Sequence, residues 1–330
     1  MYLIFKKVIH LICVFFITFS YAQSSLTSKD AALIKEAFNI QKELGSKVWS
    51  NWKSEDYPFL YKTESKDYLI NHPNPPIGFV KYFNQRLNKH IWERQIKDTT
   101  NYKAAFPVNN VLTVVMTSPK EKENVNVWVL KAVHEMFHLF QSNNSPNNPF
   151  QSKYASYNEL NFPFNYENEK VRAICSSEGM HLSIFLKKQD WRKIDSMNIK
   201  KLVKNTDVLM KNIFLDSLQL QYKKHMEWKE GVARYTEFKI AVLSSQEPSI
   251  YKPTAGFLKF YSYSENEDIY NAYNENKVFN LIRFVMSGVE GKTVFYYLGM
   301  AKCYLLDRLN PDWKYSYFKQ ELDNLIILKH

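Results

Sequence analysis

The residues best suited to chemistry are His134-Glu135-Met136-Phe137-His138. Residues four apart share one face of a helix, so His134 and His138 can aim both imidazoles at a single metal ion. Glu135 lies about 100° further round from His134. From there it can take a proton from the water that such an ion activates, without ligating the ion itself.

A helix must carry this pattern, and the flanking residues supply one. Val125, Val127, Val129, Leu130, Ala132, Val133, Met136, Phe137, Leu139 and Phe140 make the stretch apolar on most sides, as expected of a buried central helix. Its polar residues, Lys131, His134, Glu135, His138 and Gln141, fall within one stripe about 120° wide. The His-Glu-x-x-His core resembles the zinc-binding helix signature of many metallopeptidases.

Two histidines leave a catalytic zinc one protein ligand short, and three glutamates compete for that place. Glu159 lies in Asn- and Pro-rich sequence with no helix to position it. Glu178 shares a helical face with Val171, Ile174, Cys175, Leu182 and Phe185, so it points inward as either a ligand or an acceptor for a ligand imidazole. Glu230 is the strongest candidate. It lies in Trp228-Lys-Glu230-Gly231-Val-Ala233-Arg-Tyr235-Thr-Glu237, where Met226, Glu230, Ala233, Glu237 and Ile240 line one face. Gly231 lets a second helix backbone come close. The plain alternative is an exposed Glu230 paired with Arg234.

The Glu-Gly-x-Ala-x-Tyr-x-Glu pattern of residues 230–237 resembles the third-ligand helix of gluzincins, above all the thermolysin-related zinc aminopeptidases. That resemblance covers residues 125–142 and 226–240. It implies zinc held by His134, His138 and Glu230, with Glu135 as general base. It also implies a later Tyr or His to stabilise the oxyanion, for which Tyr297, Tyr296 and Tyr235 are the candidates and Tyr297 is preferred. Glu237 is expected to orient a ligand or to bind a substrate amine. Glu230 stands 92 positions past His138, so by the same resemblance residues 142–225 would have to be a helical insertion or replacement. No Gly-x-Met-Glu-Asn segment precedes the first helix, so aminopeptidase activity is not implied.

The chain has 330 residues, 45% hydrophobic and 16% aromatic, enough for a large core. Lys6 and Lys7, the apolar run Val8 to Phe19 and then Ser20-Tyr21-Ala22 predict a signal peptide over 1–22, cleaved after Ala22. The product would be exported, to a periplasm or outside the cell, with no membrane span left. Losing Lys6 and Lys7 lowers the formal charge from +11 to +9. Its lysines are dispersed, and an exported chain is not expected to meet nucleic acid. Cys13 leaves with the signal segment. Cys175 and Cys303 then form one bridge or stay as separate buried thiols, and neither builds a zinc site.

Leu26 to about Lys53 reads as an amphipathic helix ending at Trp49 and Trp52. Ile91–Ile96 and Asn110–Thr117 read as strands, and by the same resemblance the second edges the cleft and pairs with substrate. His72, in a Pro-rich loop, is expected to play no part, and His181 and His225 to be surface or boundary residues. Helices are expected over Asp195–Leu209, Leu215–Ser244, Glu267–Val289 and Lys292–Leu309, with a last one ending near Leu328.

The expected class is α+β, mostly helical, with a zincin-like core. A mixed part over 23–120 would continue into the helical zinc-binding part over 121–330. The expected function is a zinc peptidase acting on peptide or protein substrates. Two alternatives stay open: a zinc-binding interaction protein without turnover, and a zinc hydrolase of another amide or ester.

Overall fold

The computed structural model describes residues 26–96, 98, 100–145, 162–188, 190, 193–213, 217–246, 250–261 and 291–327. The signal segment, Glu159 and the expected helix Glu267–Val289 lie outside the described residues.

Helix α1 spans Ser28–Val48, and the Thr27 hydroxyl caps it by accepting from the Asp30 amide at 3.1 Å. It buries Leu33, Ala37, Ile40, Leu44 and Val48. Trp49 and Trp52 follow it into the core, as the sequence suggested.

Six strands follow: β1 (Phe59–Lys62), β2 (Lys66–Ile70), β3 (Val80–Asn84), β4 (Lys89–Gln95), β5 (Lys103–Val108) and β6 (Val111–Thr117). They form one sheet in the order β3-β4-β2-β1-β6-β5. Every neighbouring pair is antiparallel except β1 and β6. Alternation divides its residues between two faces. Phe59, Tyr61, Val114 and Met116 enter the main core, while Leu60, Leu69, Phe79 and Val115 form a small cluster of their own.

Strand β6 is interior, flanked by β1 and β5, so it cannot be the cleft-edge strand that the resemblance suggested. The edge is β5. Its Pro107 lacks the amide that a central strand needs, which suits an edge position. Val108 pairs with Val111 across Asn109-Asn110, both at positive φ (45° and 65°), as a tight two-residue hairpin requires.

Helix α2, Val125–Asn144, carries the His-Glu-x-x-His residues. The Asn124 side chain caps it by accepting from the amides of Asn126 and Val127. It is buried from Trp128 to Gln141 apart from Lys131, and Trp128 Nε1 ties it to the Thr117 carbonyl at 2.8 Å. Beyond it come α3 (Glu169–Lys187), α4 (Lys193–Ile213) and α5 (Ser217–Met226). A π-helical turn over Glu227–Gly231 joins α5 to α6 (Val232–Gln246). Then follow α7 (Ala255–Leu258), α8 (Thr293–Leu309), α9 (Trp313–Ser316), a 3-10 turn over Tyr317–Lys319 and α10 (Leu322–Ile327). The fold is α+β and mostly helical, and one apolar cluster runs from Leu26 to Ile326.

Cys175 and Cys303 are free and buried. Among the described residues, no helix is long and apolar enough to cross a membrane.

Candidate metal centre

Helix α2 presents His134 and His138 on one face, and the π turn brings Glu230 to meet them. Glu230 Oε2 lies 3.5 Å from His134 Nε2 and 3.3 Å from His138 Nε2. The three donor atoms all lie within 4.8 Å of one another, and all three residues are buried. Around a tetrahedral ion with bonds of roughly 2.1 Å, donor atoms stand about 3.4 Å apart. The two distances to Glu230 match that edge, so this buried group could hold a metal ion.

The far side of each imidazole is fixed. His134 Nδ1 lies 3.1 Å from Glu237 Oε2, and His138 Nδ1 lies 2.7 Å from Gln141 Oε1. Both partners accept, so each Nδ1 carries the proton and each Nε2 is left to face the donor cluster. Arg234 Nη1 in turn donates to both oxygens of Glu237 at 2.9 Å. Arg234 therefore pairs with Glu237 and not with Glu230, which removes the exposed-pair alternative.

The electrostatics follow from this crowding. Burial opposes a charge on His134, but hydrogen bonds to Glu230 and Glu237 and the fields of Glu135 and Glu237 outweigh it, raising the metal-free imidazole to about 9. Burial likewise opposes ionisation of Glu230. The His138 charge, the hydrogen bonds from His134 and His138, and Lys229 prevail, holding the carboxyl well below its usual range.

A π turn widens the helix by one residue and displaces carbonyls from their usual partners. Here two of them are satisfied from outside. Gln141 Nε2 donates to the Lys229 carbonyl at 3.0 Å, and the Tyr317 hydroxyl donates to the Trp228 carbonyl at 2.8 Å. Gly231 meets Gly299 of α8 backbone to backbone, as a glycine there suggested. A Cβ on Gly231 would fall 2.5 Å from Gly299 Cα.

Glu135 is buried beside the cluster but outside the donor set, and its charge reaches His134 and Tyr296. The Tyr296 ring lies parallel to His134, with centroids 6.3 Å apart and planes 10° off. Burial, together with the charge of Glu230 and a hydrogen bond to it, pushes the Tyr296 hydroxyl far above its ordinary range. Of the adjacent tyrosines it is Tyr296, not Tyr297, that reaches the donors. Consecutive helical residues diverge by about 100°, and Tyr297 feels the charges of Arg234 and Glu237 without the hydrogen bond to Glu230 that Tyr296 makes. Tyr235 is also elsewhere, its hydroxyl on Asp307.

Glu178 faces inward but is not a donor here. Its oxygens pair with Lys302 at 3.0 Å and Lys223 at 3.1 Å. His72 Nε2 instead bonds the Val108 carbonyl at 3.0 Å, His181 is exposed, and His225 is buried against Trp228 rather than at a boundary. Sequence reasoning gave no role to Gln141, although its place on the polar stripe three residues past His138 was a usable signal. Nothing in the sequence marked Tyr317 or the lysines around Glu178.

Comparison with known proteins returns no match among family models, curated proteins or solved structures.

Proposed function

We propose that the chain is an exported zinc-dependent peptidase of gluzincin type, with His134, His138 and Glu230 as metal ligands. The observation that carries this reading is the convergence of two imidazoles and one carboxylate beside a glutamate that stays out of the donor set. Zinc held there would polarise a substrate carbonyl and lower the pKa of water towards neutrality.

The chain's own residues supply the rest. Glu135 accepts the proton of the attacking water and returns it to the leaving amine. Tyr296, kept protonated by its surroundings, donates to the oxyanion as it develops. Glu237 and Gln141 hold the two imidazoles in the tautomer that leaves Nε2 free. Strand β5, half-buried, at one edge of the sheet and packed against α2, is the kind of element with which an extended peptide can pair.

A purely structural site usually closes with four protein ligands and has no use for a base beside it. Glu135 at a three-donor site therefore supports turnover over a binding-only role. The test is Glu135→Gln, assayed on a mixture of peptides and for bound metal. Hydrolysis by the wild type, lost in the variant while metal is retained, supports the reading. Hydrolysis by the variant at the wild-type rate rules Glu135 out as the base.

A further inference from the structure

Behind the donor cluster lies a second group of charges that the chemistry does not use. Lys302 Nζ stands 3.0 Å from Glu178, 2.7 Å from Glu227 and 2.7 Å from Asp323. Lys223 Nζ stands 3.1 Å from Glu178 and 2.5 Å from the other oxygen of Glu227. All five residues are buried. Lys224 closes one side, 3.7 Å from Asp323.

Ion pairs this deep are weak evidence for stability, because desolvation cancels much of their attraction. Their placement is more telling. Glu227 opens the π turn, and Glu230 is the third residue after it. On α8, Tyr296, Gly299 and Lys302 follow at intervals of three and form one ridge along that turn. Tyr296 touches Glu230, Gly299 admits the backbone of Gly231, and Lys302 grips Glu227. A π turn is a rare interruption of the α-helical ladder, so it depends on partners from its surroundings. Three successive residues of one ridge supply them here.

We infer that Lys302 is a positioning residue for the metal centre: by pairing with Glu227 it locks the π turn against α8 and so sets Glu230 at the donor cluster. The inference rests on the metal-site reading. Lys223 shares the grip from within α5, four residues before Glu227, so it stiffens the helix locally. Among the ion pairs of the described residues, that of Lys302 with Glu227 is the one that ties the turn to α8.

The test compares wild type with Lys302→Met, Glu227→Gln and a remote control, Lys66→Met, which breaks the partly buried pair with Glu93 in the sheet. Zinc affinity is read by competition with a chromophoric chelator, ligand geometry by the absorption of the cobalt-loaded chain, and folding by metal-free melting. Lys302→Met and Glu227→Gln are expected to lose roughly tenfold or more in zinc affinity, with a changed cobalt spectrum. Lys66→Met is expected to melt lower and bind zinc as before. If Lys302→Met fails to fold, Glu227→Gln decides, since it keeps the side chain's shape. Folded variants with wild-type zinc affinity and cobalt spectrum would overturn the lock. A wild type that takes up no zinc would remove the metal reading instead. The metal-free structure of Glu227→Gln then judges the lock: relaxation of residues 227–231 to α-helix supports it, and an unchanged π turn overturns it.

Discussion

His138 and Gln141 join the two halves of the candidate metal centre: Nδ1 of the histidine donates to Oε1 of the glutamine at 2.7 Å, while the same amide donates 3.0 Å away to the carbonyl of Lys229. One side chain thus fixes the tautomer of His138 on α2 and satisfies the backbone just before Glu230 on the π turn. A second contact does similar work for His134, whose acceptor Glu237 lies two turns beyond Glu230 on the same helical run.

Replacing Gln141 with leucine removes both functions. Zinc affinity is expected to fall roughly 10- to 100-fold, as for other residues that orient a ligand. Stability should drop by about 1–3 kcal/mol for buried groups left without partners. Chelator competition and denaturant unfolding of the metal-free chain measure the two effects separately.

Zinc uptake should depend on pH through His134. In the metal-free chain its imidazole is raised to about 9, so below that pH a proton must leave before Nε2 can ligate. Affinity is expected to rise with pH up to about 9, by at most about tenfold per unit for this one proton. Glu237→Gln removes one of the charges that raise His134, so the dependence should level off at lower pH. Zinc titrations across pH 6 to 9 on both proteins would measure this, and a flat wild-type profile would contradict it.

Gly299→Ala probes the contact between helices. Its new Cβ would fall 2.3 Å from the Glu227 carbonyl oxygen and 2.8 Å from Gly231 Cα, so α8 and the π turn must separate. A loss of about 3 kcal/mol is expected, together with weaker zinc binding, because Glu230 moves with the turn. Unchanged melting would show that the backbones do not meet this closely.

Much of this arrangement was legible in the sequence because it is local. The apolar positions around His134 and His138 gave a buried helix, and the single face shared by Glu230 and Glu237 placed both carboxylates inward. What escaped depends on contacts between distant segments. Glu178 was read correctly as buried, but its partner Lys302 lies 124 residues later on an apolar helix where no pattern marks a lysine. The π turn leaves no periodic trace, and without its phase Tyr296 could not be told from Tyr297. Strand β3 exposes Val80 and Phe83, and β5 contains a proline, so neither carries the β-branched, nearly continuous apolar run that revealed β6.

The buried charges predict how the fold meets acid. Burial opposes ionisation of Asp323, but Lys302, Lys223 and Lys224 outweigh it and bring the carboxyl from 3.8 down to about 2. A depressed carboxyl contributes stability that is fully present above its unfolded value, here about 4, and lost as pH falls through about 2. Burial opposes ionisation of Glu178 too, but Lys223 and Lys302 outweigh it and shift its carboxyl in the same direction. Lys302→Met should therefore move the acid-unfolding midpoint of the metal-free chain upwards, measured by circular dichroism between pH 2 and 6.

The most direct measurement is the zinc content of chain purified without chelator, beside the variant Glu230→Ala. One zinc per wild-type chain, with clearly weaker retention in a folded variant, is the expected result. A folded wild type that cannot take up zinc, or equal retention by both proteins, would contradict a centre built from His134, His138 and Glu230.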